Sequence, residues 1–69
     1  MTIREAIAER IALAEREYAA LRQRANGELP DASEERLDEL NRALLVHRER
    51  LNGMRMLRDA IAALLPKEQ

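Results

Sequence analysis

Residues 31–65 read DASEERLDELNRALLVHRERLNGMRMLRDAIAALL, and this stretch decides the fold. Its apolar residues recur every three or four positions, a spacing that brings them onto one face of an α-helix. They are Leu37, Leu40, Leu44, Leu51, Met54, Ile61 and Leu65. We therefore predict one long helix over about residues 32–65, which Pro66 ends, and a short tail over 66–69.

A second periodic stretch precedes this one, at about residues 2–26. Thr2 and Glu5 have the spacing of a capping box, which stabilises a helix N-terminus. The apolar positions then alternate in steps of four and three, as in the seam of a coiled coil. They are Ile7, Ile11, Ala14, Tyr18, Leu21 and Ala25. A second, shallower contact surface is predicted beside this seam by residues that lie seven apart. They are Ala6, Leu13 and Ala20.

The connection, residues 27–31, carries the usual signals of a chain reversal. Gly27 is suited to the left-handed position that follows a helix C-terminus. Pro30 disfavours a helical conformation at Leu29, so we expect that residue to be extended. A link this short makes the two helices antiparallel neighbours.

The start of the second helix has two alternatives for its N-cap. Asp31 with Glu34 has capping-box spacing, and Ser33 alone also supplies a side-chain oxygen. In both alternatives the first turn carries acidic side chains, which the positive end of the helix dipole favours.

The predicted fold class is all-α: an antiparallel, coiled-coil-like two-helix hairpin that assembles into a four-helix bundle. The alternative is a three-helix bundle, in which Asn52-Gly53 breaks the second helix and residues 54–65 fold back. We expect one domain over residues 1–69. A chain of this size buries only about 60% of its unfolded surface, and no cysteine is present to form a disulfide. Oligomerisation is the remaining route to stability.

The predicted register leaves the end of the second helix without a neighbour. Folding the chain about Leu29 pairs Ile7 with Leu51, so the first helix ends near Met54. About ten residues, or about 15 Å of helix, then project beyond it. This segment is the most apolar part of the chain, and an exposed apolar surface of this kind marks an association site. We expect partner or oligomer contacts there and on the second surface of the first helix. These residues are Met54, Leu57, Ile61, Leu64, Leu65, Leu13 and Ala20.

Composition and motifs argue against several classes of function. The net charge is −1, one residue is aromatic, and no nucleophile elbow, phosphate-binding loop or zinc-ligand spacing occurs. We expect no enzyme and no cofactor. His47 is the only histidine and lies on the seam, so we interpret it as a packed side chain rather than a metal ligand. No apolar run reaches the roughly 20 residues that cross a bilayer, and we expect a cytoplasmic protein with no membrane partner.

The function we predict is a small, non-catalytic protein–protein interaction module, such as an accessory subunit, an adaptor or a co-chaperone-like hairpin. Its partner is itself, as a homodimer, or a helix of another protein. The alternative, which the neutral net charge and the lack of stacking aromatics disfavour, is a homodimeric nucleic-acid-binding regulator that contacts phosphates through arginines. Those arginines are Arg48, Arg55 and Arg58. In the interaction module, we expect Arg55 and Arg58 to rim the apolar contact or to pair with Glu5 and Glu9.

The two-helix layout resembles the Rop type of hairpin, which implies a four-helix bundle and RNA binding. Gly27-Glu28-Leu29-Pro30 is similar to the linker of the exodeoxyribonuclease VII small subunit, another short two-helix protein. Leu51-Asn52-Gly53 with Met56-Leu57 is similar to the second helix of hairpin co-chaperones for type III secretion needle subunits. The last two resemblances imply the same class of function, in which a small helical hairpin binds another protein.

Overall fold

The computed structural model describes residues 1–65, which form two long helices joined by a tight turn. Helix α1 spans Ile3–Glu28, a single 3-10 turn spans Leu29–Asp31, and helix α2 spans Glu34–Leu64. No strand occurs in the described residues, and α1 packs against α2. The predicted all-α class and the helical hairpin are therefore confirmed.

The N-terminus of α1 is closed by the predicted capping box. The Thr2 hydroxyl accepts a hydrogen bond from the Glu5 N–H at 3.1 Å, and the Glu5 carboxylate accepts one from the Thr2 N–H at 3.4 Å. Each residue thus satisfies a backbone donor that the first helical turn leaves without a partner.

The C-terminus of α1 lies beyond Asn26 and Gly27. Its last hydrogen bond runs from the Leu29 N–H to the Ala25 carbonyl, and no residue of the described chain has a positive φ. The predicted left-handed conformation of Gly27 is therefore wrong. Ordinary helical hydrogen bonds continue past this glycine, so no left-handed cap is needed to satisfy its neighbours.

The turn reverses the chain later than its proline suggests. Leu29 is helical, with φ −50° and ψ −43°, so the expected extended conformation at this residue is also wrong. Pro30 lies in the first turn of the 3-10 segment, where its missing N–H is not required. The extended residues are Ala32 and Ser33, with ψ of 136° and 165°.

Helix α2 begins at the Ser33 cap and continues without a break. The Ser33 hydroxyl accepts a hydrogen bond from the Arg36 N–H at 3.2 Å, which decides between the two predicted N-caps. The helix passes unbroken through Asn52 and Gly53, so the three-helix alternative is wrong. The predicted stop at Pro66 and the tail that follows it lie outside the described residues.

The register of the two helices differs from the predicted one. Arg55 donates a hydrogen bond from Nη2 to Oε2 of Glu15 at 3.0 Å. Tyr18 and Leu51 line the same groove, whereas the prediction placed Leu51 beside Ile7. The reason is that α1 is longer than expected and α2 begins later, which moves the point of reversal from Leu29 to Ala32 and Ser33.

This register brings the open ends of the two helices close to the same level. At 1.5 Å per residue, α1 extends about 18 Å beyond Glu15 and α2 extends about 13 Å beyond Arg55. Ile61 and Leu65 are accordingly half-buried. The predicted overhang of α2 is therefore wrong, and any association surface must be sought on the sides of the hairpin.

The hairpin has very little interior. Its described residues include only four that are buried, namely Ile11, Ala25, Leu40 and Leu51. The molecule measures 53 × 17 × 12 Å and exposes 5729 Å² of surface. A globular protein of 7.9 kDa exposes about 4,400 Å². The chain thus leaves about 1,300 Å² more surface in contact with solvent than its mass requires.

Candidate protein–protein interface

The hairpin has two broad faces, one on each side of the plane that contains both helix axes. One of them, the polar face, contains the ion pair between Arg55 and Glu15. On the same face the guanidinium of Arg22 lies 5.8 Å from the centre of the Tyr18 ring, at the distance of a cation–π contact. These residues line one groove with Arg48, Leu51 and Asn52. Arg55 and Arg22 thus have partners within this face, whereas Arg48 has no carboxylate partner among the described residues.

The opposite side of the hairpin contains a groove of a different character. It has a volume of about 150 Å³ and is lined by Arg10, Leu13, Ala14, Glu17, Arg50 and Met54. Leu13 is 46% exposed, and Met54 is half-buried. The groove therefore joins the predicted second surface of the first helix to the predicted contact segment of the second.

Helical periodicity extends this groove along both helices. Residues three, four or seven positions from the groove-lining ones lie on the same side of a helix. On α2 these include Val46 and Leu57, and Leu64 lies seven positions beyond Leu57. The three side chains are 64%, 57% and 85% exposed. We call this side of the hairpin the apolar face. Its members are Ala6, Leu13 and Ala20 on α1, and Val46, Gly53, Leu57, Ala60 and Leu64 on α2.

A larger depression continues the apolar face around the back of α1. It has a volume of about 560 Å³, and its lining comes entirely from the N-terminal part of the chain. The lining residues are Met1, Ala6, Glu9, Arg10, Ala12, Leu13 and Arg16. Leu13 thus lies between two concave surfaces, and Met1, which lines the larger one, is 82% exposed.

Three charged side chains of the apolar face have no partner in the hairpin. Among the described residues, neither an ion pair nor a hydrogen bond joins the side chains of Arg10, Glu17 and Arg50 to any group. Glu17 and Arg50 nevertheless line the same groove. The apolar face therefore presents exposed hydrophobic surface together with charges that have no partner among the described residues.

The structure separates the predicted contact residues into two groups. Met54, Ile61 and Leu65 are half-buried in the hairpin, whereas Leu57, Leu64, Leu13 and Ala20 are exposed. Sequence reasoning did not single out Val46, Glu17 or Arg50. Val46 has a detectable signal, since Val46, Gly53 and Ala60 lie seven positions apart. Glu17 and Arg50 become neighbours only in the observed register.

The three arginines of the alternative nucleic-acid hypothesis lie in different environments. Arg55 is paired with Glu15, and Arg58 donates from Nε to Oδ1 of the adjacent Asp59 at 3.1 Å. The expected pairing of Arg55 and Arg58 with Glu5 and Glu9 is therefore wrong, since the register places Glu15 beside Arg55. Arg48 lines two grooves of the polar face and has no carboxylate partner among the described residues.

Neither a metal site nor a membrane-spanning helix occurs in the described part of the chain. His47 is half-buried, and no three His, Asp or Glu side chains of residues 1–65 converge where they could hold a metal ion. Neither α1 nor α2, as described, has an apolar window long enough to cross a bilayer.

Comparison of the chain with models of known protein families, with curated proteins and with solved structures gave no match.

Proposed function

We propose that this protein is a small, non-catalytic protein–protein interaction module that binds a helical surface through its apolar face. One observation carries the proposal: Leu13, Val46, Leu57 and Leu64 are exposed on one side of a hairpin in which only four of the described residues are buried. At about 25 cal/mol per Å² of apolar surface, covering that side is a substantial source of binding free energy.

The two faces differ in a way that favours this function. On the polar face Arg55 is paired with Glu15 and Arg22 lies over the Tyr18 ring, while Arg48 has no carboxylate partner among the described residues. On the apolar face Leu57 and Leu64 are exposed beside charges such as Arg50, which has no partner within residues 1–65. Protein interfaces commonly combine a hydrophobic centre with polar groups at the rim.

A pair of matched variants tests the proposal. Leu57→Asp with Leu64→Asp places two carboxylates on the apolar face, and Leu45→Asp is the control. Leu45 is 42% exposed on the same helix but lines a groove of the polar face with Tyr18 and Asn41. Circular dichroism establishes that each variant is helical, and light scattering with affinity capture measures its association with itself and with other proteins.

We expect the double variant to stay helical and to lose association, while Leu45→Asp keeps it. A wild-type protein that remains a stable monomer and captures no partner would contradict the proposed function. Equal association by both variants would show that the apolar face is not the binding surface.

A further inference from the structure

The surface area, the level of the helices and the charges of the apolar face together identify its occupant. We infer that a second copy of this chain covers it, related by a two-fold axis parallel to the helices, with both turns at the same end. This inference rests on the proposed function and adds the partner and the geometry. In such a dimer, α1 of each copy lies antiparallel to α2 of the other copy.

The size of the face fits a stable homodimer. One broad face of the hairpin measures about 53 × 17 Å, or about 900 Å², so two copies that cover each other's face remove about 1,800 Å² in total. Specific, stable interfaces bury about 1,200–2,000 Å², whereas crystal-packing contacts bury less than about 800 Å². A net charge of −1 per chain produces little repulsion between two copies.

Rotation about a two-fold axis parallel to the helices leaves the position of each residue along that axis unchanged. Residues of α1 and α2 that are level within one hairpin therefore face each other between the two copies. The groove sets this level, since Glu17 and Arg50 line it together, as do Leu13 and Met54. Leu13 is thus level with Met54 and, within one residue or about 1.5 Å, with Gly53. One heptad from Leu13 and Gly53 toward the open end, Ala6 is level with Ala60. One heptad toward the turn, Ala20 is level with Val46.

At two of these levels, a larger side chain meets a smaller residue. Leu13 faces the partner's Gly53, and Ala20 faces the partner's Val46. Nothing in the hairpin lies within 4 Å of the position that a Cβ at Gly53 would occupy, so packing of α1 on α2 does not require this glycine. A glycine inside a helix lowers its stability by about 1 kcal/mol relative to alanine. The partner's Leu13 supplies the packing reason that the single chain lacks.

The same arrangement compensates the groove charges. Glu17 of each copy lies level with the partner's Arg50, so the dimer contains this pair twice. Arg10 lies level with the partner's Leu57, where its aliphatic stem covers the leucine and its guanidinium stays in water.

The other face-to-face arrangement, with the turns at opposite ends, fits less well. The exposed apolar residues of α2 are concentrated toward the open end of the hairpin, as Leu57 and Leu64 show. Reversing one copy about the level of Gly53 places Leu64 near the partner's Arg42 and Leu57 near the partner's Glu49. With the turns together, Ala60 is level with the partner's Ala6, so small apolar residues meet at the open end.

Mixing two charge variants tests the interface directly. Glu17→Arg and Arg50→Glu each place like charges opposite each other in a homodimer. In a mixed dimer of the two, both intermolecular pairs have opposite charges, while each hairpin still carries two like charges of its own. We expect the mixture to form heterodimers at least about tenfold more tightly than either homodimer, measured by native mass spectrometry. Random mixing of the two chains would overturn the inferred interface.

A size exchange tests the contact at Gly53. Gly53 is exposed and an added Cβ there meets nothing within 4 Å, and Gly53→Leu raises helix propensity, so we expect the variant to fold. We expect it to weaken the dimer at least about tenfold, and Leu13→Ala in the same chain to restore most of the loss. A Gly53→Leu dimer as tight as wild type would overturn the contact.

The position of the turns is measurable because the chain contains no cysteine. Asp31→Cys introduces one spin-label site in the turn, and the distance between the two labels in the dimer reports the geometry. Turns at the same end predict about 20 Å, since packed helix layers lie about 10 Å apart. A distance close to the 53 Å length of the hairpin would overturn the inferred axis.

A wild-type protein that is monomeric at all concentrations would overturn self-association as a whole. The proposed function would then stand if Leu57→Asp with Leu64→Asp abolished binding of a different protein.

Discussion

The guanidinium of Arg55 lies 3.0 Å from the carboxylate of Glu15, forty positions earlier in the chain. This pair marks the level at which α1 and α2 meet. In the register that the pair sets, α2 does not project beyond α1. The surface available for association is therefore one of the two broad faces of the hairpin, of which one is polar and the other apolar.

The Glu15–Arg55 pair reports the register but contributes little stability. Its side chains are 49% and 42% exposed, and exposed ion pairs contribute about 0–1 kcal/mol. We expect Glu15→Gln to lower the free energy of unfolding by less than about 1 kcal/mol, and 1 M salt to remove most of the difference. Urea unfolding of both proteins at two salt concentrations measures this. A loss above about 2 kcal/mol would mean that Glu15 and Arg55 form a buried ion pair rather than an exposed one.

Gly27 provides a test of the helix C-terminus. Because its φ is negative and nothing lies within 4 Å of an added Cβ, Gly27→Ala fits the existing backbone. We expect it to stabilise the protein by about 0.5–1 kcal/mol, through higher helix propensity and a less flexible unfolded chain. Thermal unfolding measures the change. Destabilisation would indicate the left-handed cap that the sequence first suggests.

Ser33 and Asp31 provide a matched pair at the start of α2. The Ser33 hydroxyl accepts a hydrogen bond from the Arg36 N–H, so Ser33→Ala removes a real N-cap. We expect a loss of about 1 kcal/mol in the free energy of unfolding, and little change for Asp31→Ala. The reverse order of the two variants in urea unfolding would assign the cap to Asp31.

Glu28 and Arg36 link the end of α1 to the start of α2. Arg36 donates to Glu28 from Nε at 2.8 Å and from Nη2 at 3.0 Å. This hydrogen bonding lowers the pKa of the Glu28 carboxyl below its ordinary value. Since the folded pKa lies below the unfolded one, the stabilisation is present above the unfolded pKa. It disappears as the pH falls through the folded pKa.

NMR titration of the Glu28 carboxyl carbon measures this effect. We expect Arg36→Gln to return the pKa of Glu28 toward its ordinary value, and to abolish the part of the acid-dependent stability that this pair supplies. Arg42→Gln, a substitution of the same type one and a half turns further along α2, is the control and should leave the titration of Glu28 unchanged. An identical titration in wild type and Arg36→Gln would exclude the link.

The two helices and the Thr2 cap follow from sequence because they depend on local spacing. The register does not follow from local spacing, because it depends on the residues at which α1 ends and α2 begins. The wrong conformations predicted for Gly27 and Leu29 together shifted the predicted register by several turns. Leu13, Leu57 and Leu64 were identifiable from apolar periodicity. Glu17 and Arg50 were not, since only the packing of α1 on α2 places them in one groove.

The molar mass of the wild-type protein over a concentration series tests the central claim most directly. Sedimentation equilibrium from micromolar to millimolar protein should give twice 7.9 kDa, because each copy covers the apolar face of the other. A mass of 7.9 kDa at every concentration, from a protein that is helical and folded, would contradict self-association through this face.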